Sequence, residues 1–364
     1  MSARAAILAL AAAVAAPAAA FQQTCIPNTS PKVCLKWPSP AIAWKLNPCR
    51  PNSSPGCQAS GTTDPVLDVA KASFQTWQTA TRAGEAAPCT DLAFTFAGTT
   101  ASLQAGSDAS EHLIVFRQGW CSADPDATKD PCFSTATCGN KFDCFDDEGA
   151  LGRSTLALTS VSFVSKDGTI MDADTELVDW DGASGALASG ADPGIYVTCL
   201  GAAPLCATYG QAGCAFFDLQ NTLTHELGHF IGLAHPCGSG SGSPEIDCAS
   251  SPDFAITTMY PFESPGETSK RVLSADDVDG VCTLYPRGAA PAAASLAPGA
   301  LGAPEPASAT AVAAASGAGA ACIPAAKKSG GCASGPGFAG TTLLALLALA
   351  LRRGRGRSTA PHSS

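Results

Sequence analysis

Positive charge is scarce in this chain. Residues 21–286 hold 13 Lys and Arg against 30 Asp and Glu, a net of −17. Phosphate backbones would be repelled, which excludes nucleic acid as a partner. Charge of either sign is thin, at 14%, while apolar residues make up 46%, enough for a sizeable core. Residues 21–40, a short Pro- and Cys-rich run before the first strand, read as too short for a folded inhibitory domain. The Cys-rich segment at about 121–148 lacks a paired C-x-x-C. Its Cys121, Cys132, Cys138 and Cys144 therefore read as disulfide partners rather than as a structural zinc cluster.

Cysteine itself is abundant, with 17 in the chain. That count fits an oxidising compartment far better than a cytosol. Residues 1–20 agree with it, reading as a signal peptide with Arg4, an apolar run at 5–16 and an Ala18-Ala19-Ala20 ending. Residues 21–286 then form one domain. Its 15 cysteines are an odd number, and Cys322 would make it even. Residues 287–331 are an Ala/Pro/Gly-rich linker without a core. Residues 332–357 follow, with Cys332, an apolar run at 337–351 that is short for a membrane span, and Arg352, Arg353, Arg355 and Arg357. The basic flank would stay cytoplasmic and place the domain outside the membrane. Residues 358–364 are a polar terminus.

Periodicity places the elements. Residues 41–47 are predicted as a strand. Residues 64–82 read as a helix, with Asp64 as N-cap, Pro65 in the first turn, and Val66, Val69, Ala70, Phe74 and Trp77 at helical spacing. Strands are expected at 92–96, 112–116, 155–164 and 170–177, the last two joined by a hairpin turn at 166–169. His112 falls at a strand start. Asp172, Asp174 and Glu176 share one strand face at period two. They read either as the solvated face of an edge strand or as an oxygen-ligand calcium site. Residues 182–214 read as a surface loop. Ser274 and Asp277 form a variant capping box for a last helix reaching 285.

The chemistry is concentrated at 225–235, His-Glu-Leu-Gly-His-Phe-Ile-Gly-Leu-Ala-His. Asp218 is predicted to cap this helix. Leu219, Leu223, Leu227, Phe230 and Ile231 give its apolar face, and Thr222, His225 and His229 the adjacent stripe. Two histidines four residues apart lie one turn apart on that stripe and can reach a single metal. Gly232 can break the helix at φ > 0, so that His235 approaches from another side. Three His ligands leave a fourth position for water, as a catalytic zinc site requires. Glu226 is placed to accept a proton from that water.

The eleven-residue pattern, followed by Met259 in Thr257-Thr258-Met259-Tyr260-Pro261, resembles the metzincin signature with its Met-turn. Residues 72–77, 92–96, 168–177, 259–261 and 273–285 resemble the matrixin branch, so the likeness spans residues 37–286. Pro236 after the third histidine departs from that branch, as do the high Cys content and the 121–148 insertion. The resemblance implies an α+β zincin fold, with a twisted mixed sheet and long helices above a cleft. A smaller subdomain below would carry the Met-turn and the last helix. It implies one catalytic Zn2+ on His225, His229 and His235, Glu226 as general base, and Met259 as an apolar floor. The expected protein is a monomeric zinc endopeptidase acting on protein or peptide substrates. The alternative is a catalytically silent surface binding protein on the same fold. The tail resembles the myxobacterial carboxy-terminal surface-sorting signal. That likeness implies processing near Cys332, with a retained membrane anchor as the alternative, and a secreted or cell-surface location.

Overall fold

The protein is represented by a computed structural model that describes residues 21–48, 57, 59–106, 111–117, 120–134, 139–145, 155–178, 195–199, 215–238, 246–264 and 266–289. The expected signal peptide, most of the 182–214 loop, nearly all of the linker and the tail lie outside these residues. In chain order the first elements are β1 (Gln22–Gln23), β2 (Ala41–Leu46), α1 (Pro65–Gln78), β3 (Ala93–Thr99), β4 (Leu113–Arg117) and the short α2 (Pro131–Ser134). There follow β5 (Ala157–Phe163), β6 (Ile170–Val178), β7 (Ile195–Thr198), β8 (Ala215–Asp218), α3 (Leu219–Phe230), β9 (Leu233–Ala234) and α4 (Ala275–Leu284).

Five strands make one mixed sheet in the order β3-β2-β4-β6-β5. The first four run parallel to their neighbours, and β5 is an antiparallel outer strand paired to β6. The chain is thus a mixed α/β structure. Helices α1 and α3 cover one face. Phe74 of α1 stacks on Trp44 of β2 at 4.5 Å between ring centroids. The Trp77 indole of α1 donates to Thr224 O of α3 at 2.8 Å. Trp44, Trp77, Leu227 and Phe230 are all shut off from solvent in this layer. Burial of one such large apolar side chain stabilises by about 1.5–3 kcal/mol, so the layer dominates the fold.

The helix ends follow from their sequences. Asp64 accepts from Leu67 N at 3.2 Å and starts α1, with Pro65 in the first turn. The helix stops at Gln78, four residues short of expectation. There Thr79 N turns back to Gln75 O, and Cys89 N takes Ala80 O at 2.9 Å. The Cys89–Cys282 disulfide then joins this turn to α4. Asp218 caps α3 through Asn221 N at 2.8 Å, and its carboxylate is held in turn by Arg271 Nε at 2.7 Å. Ser274 and Asp277 form the reciprocal capping box of α4.

The strand β6 corrects one expectation. It lies between β4 and β5, not at an edge, and Asp172, Asp174 and Glu176 are buried. Ala173 and Leu177 face the helices, while the three acids face the opposite side. The segment at Gly106 and the insertion around Asn140 supply their partners there. The strand pair β7–β8 joins Ile195–Thr198, inside the expected surface loop, to the entry of α3. Cys25–Cys34, Cys57–Cys199, Cys121–Cys144 and Cys237–Cys248 are further disulfides, and Cys132 is also disulfide-bonded. The sites of Cys49, Cys138, Cys206, Cys214 and Cys322 lie outside the described residues.

Candidate metal centre

Helix α3 brings His225 and His229 to one side. The chain leaves the helix at Gly232, whose φ is +92°. A side chain there would also meet Leu35 O, at 2.6 Å from the Cβ position, so glycine is required on both counts. The open carbonyls of the helix end are answered one by one. Ile231 N takes Leu227 O, Gly232 N takes His229 O, and the Trp37 indole takes Phe230 O at 2.8 Å. The Tyr285 hydroxyl then donates to Ile231 O at 2.8 Å. The turn is therefore fixed from several sides, and it returns His235 to the two helical histidines.

The three rings turn their Nε2 atoms toward one another. His235 Nε2 lies 3.1 Å from His225 Nε2 and 3.0 Å from His229 Nε2. The other ring nitrogens of the two helical histidines face backbone carbonyls: His225 Nδ1 donates to Thr258 O at 2.7 Å, and His229 Nδ1 to Leu233 O at 2.9 Å. A carbonyl can only accept, so Nδ1 carries the proton and Nε2 is left to the cluster. Burial, more than the neighbouring histidines and Lys270, holds the pKa values of His225 and His235 well below the usual imidazole range. Uncharged rings with converging lone pairs are the state in which histidine ligates a metal. Nitrogens bound at ~2.0–2.1 Å to a tetrahedral zinc would sit about 3.3 Å apart, close to the spacing here. Among the described residues, His225, His229 and His235 are the group of three whose ligand atoms converge in this way.

Glu226 is buried, and burial raises its carboxyl above the usual range, against the pull of His229, Thr159 and Lys270. Its Oε2 accepts from Thr159 Oγ1 of β5 at 2.7 Å. Met259 is buried beneath α3, and a Cβ on Gly228 would fall 2.1 Å from its Sδ. Asp277 holds this turn from α4, accepting from Thr258 N at 2.7 Å and Met259 N at 3.2 Å. The capping acid of α4 thus also positions the carbonyl that orients His225. Lys270 is buried beside the turn and donates to Tyr260 O at 2.9 Å and Phe262 O at 2.7 Å. Sequence spacing carried no signal for Thr159, Lys270 or this second use of Asp277. Each acts across a tertiary contact.

The acids of β6 are not brought to the histidines. Asp172 Oδ1 lies 2.9 Å from His112 Nδ1. Asp174 accepts from Gly106 N at 2.6 Å and Leu113 N at 2.8 Å. Glu176 Oε1 accepts from Arg117 Nε at 2.6 Å and Asn140 Nδ2 at 2.8 Å. These donors, one of them a guanidinium, occupy oxygens that a calcium ion would need. The row is a buried, hydrogen-bonded polar ladder.

No family model matches this chain, and no curated protein matches it. Among solved structures, a chain of the GM1 bound form of the ECX AB5 holotoxin aligns at 12% identity, covering 73% of this chain and 88% of its own, with a TM-score of 0.30. So low a score carries no argument about fold or function, and the site is read from its own geometry.

Proposed function

We propose that the protein is a zinc-dependent endopeptidase of metzincin type. The observation that carries this reading is the meeting of three imidazole Nε2 atoms at 3.0–3.1 Å, with Glu226 next in sequence to the first of them. His225, His229 and His235 would hold the ion, which supplies a Lewis acid and lowers the pKa of water. Thr258 O and Leu233 O keep two of the rings aimed. Glu226 takes a proton from the attacking water and returns it to the leaving amine. The disulfides support a compartment outside the cytosol.

The test is Glu226→Gln. Gln has nearly the same shape and can still accept from Thr159, so packing and zinc content should hold. It cannot take up a proton at neutral pH. Cleavage of a mixed peptide library at matched zinc content should fall by about 10²–10⁴-fold or more. Equal cleavage by both proteins would remove Glu226 from the chemistry. A zinc-loaded wild type without any cleavage would favour the silent binding protein.

A further inference from the structure

Thr159 is the third residue of β5, the outer strand, and lies directly opposite Thr175 of β6. Its Oγ1 has three oxygen neighbours: Glu226 Oε2 at 2.7 Å, Glu226 O at 3.2 Å and Thr175 Oγ1 at 3.0 Å. A hydroxyl has one proton to give. With Glu226 ionised, as a general base must be, the shortest contact takes it. Thr159 must then accept from Thr175, whose own hydroxyl is fully buried. The direction of the chain is thereby fixed, from Thr175 to Thr159 to Glu226 Oε2. Hydroxyls linked in this sense polarise one another, and the last donor is strengthened.

We propose that Thr159, backed by Thr175, is a positioning residue that holds Glu226 by Oε2 and leaves Oε1 as the proton-accepting atom. The assignment rests on the endopeptidase reading. The terminal torsion of a glutamate is broad, so an unrestrained carboxylate samples many orientations. A donor from the sheet stops that rotation. It ties the base to β5, while the histidines are tied to α3 and the turn at Thr258. A β-branched pair across two strands also contributes by packing alone. The test must separate the hydroxyl from the methyl group.

The experiment uses the full chain as Thr159→Val, Thr159→Ser and Thr175→Val, each loaded to the same zinc content. Val keeps the shape and removes the donor; Ser keeps the donor and removes a methyl. Thr159→Val should lower kcat by about tenfold or more at little changed KM, since it strips a hydrogen bond from a charged acceptor. Thr159→Ser should recover most of that loss. Thr175→Val should give a smaller fall, because it acts through Thr159. A second measurement needs neither metal nor turnover. On the zinc-free chain, the urea midpoints of Thr159→Val, Glu226→Ala and the double variant should be non-additive, the double losing less than the sum of the singles. Additive midpoints, or a Ser variant as impaired as Val, would overturn the assignment. An inactive wild type with non-additive midpoints would sink the endopeptidase reading, and with it the positioning role, leaving a structural contact.

Discussion

Glu263 follows Met259 by four residues, and its carboxylate rests on the first turn of α3. Oε2 accepts from Thr222 Oγ1 at 2.9 Å. Oε1 is shut off from solvent and makes no hydrogen bond of full geometry, the Asn221 amide being the polar side chain that pulls on this carboxyl beside Thr222, although the residue as a whole is only half-buried. Burial is the largest influence and pushes its pKa from 4.5 up to about 8, while Lys270, Thr222 and Asn221 pull it down and Glu267 adds a small push upward. The folded value lies above the unfolded one, so the folded chain binds the extra proton between those limits. The stability it contributes is full below about pH 4.5 and is lost as pH rises through about 8. In urea unfolding of the zinc-free chain, the stability of wild type relative to Glu263→Gln, which keeps the shape without the titration, should therefore decline across this window, since the buried histidines act equally in both proteins. An unchanged slope in the variant would assign the proton to another group.

The helix α3 shows what its own sequence could and could not tell. Its N-cap at Asp218, its apolar face and its break at Gly232 all follow from local rules. The capping box of α4 does as well. The acids of β6 misled because alternating charge reads as solvent exposure. Their partners, Arg117 and Asn140, come from elsewhere in the chain. Thr159 is 67 residues from Glu226, and no periodicity reports such a contact. Gly228 sets local and tertiary rules directly against each other. In a helix interior, Gly→Ala is worth up to about 1 kcal/mol of stability by propensity alone. Here an added Cβ would lie 2.1 Å from Met259 Sδ and 3.0 Å from Trp77 Cζ2. Met259 can bend away, but Trp77 is fully buried and pinned to Thr224 O. Overpacking should win, and Gly228→Ala should destabilise by about 1–3 kcal/mol in urea unfolding. It should also weaken zinc retention, because the displaced methionine disturbs the turn whose Thr258 O orients His225. A variant as stable as wild type would show that the turn yields without cost.

At the scale of the molecule, the three histidines sit where separate parts of the chain are joined. His225 and His229 belong to α3. His235 follows β9, which pairs with β1 near the start of the described chain. Thr24 N donates to Gly232 O and Leu35 N to Thr24 O, both within 2.9 Å, so the 232–235 segment and the 21–35 segment move together. Phe21 N donates to Asp276 Oδ1 at 2.9 Å, which carries the link on to α4. From the other side, Asp277 of α4 holds the Thr258–Met259 turn beneath the cluster. A metal bound by all three rings would therefore clamp sheet, helix and carboxy-terminal segment at once. The unfolded chain offers no such site, so binding adds to global stability as RT ln(1 + [L]/Kd), about 2.7 kcal/mol at a hundredfold excess over Kd. For a domain of this size that corresponds to a rise of very roughly 5–10 °C in Tm. Treating the full chain with a zinc-selective chelator should lower Tm by that amount. His235→Ala should start from the lower Tm and not respond to the chelator, because two helical histidines alone hold the ion far less tightly. Equal chelator shifts in wild type and His235→Ala would place the ion elsewhere, and the three imidazoles would lose their assignment as its ligands.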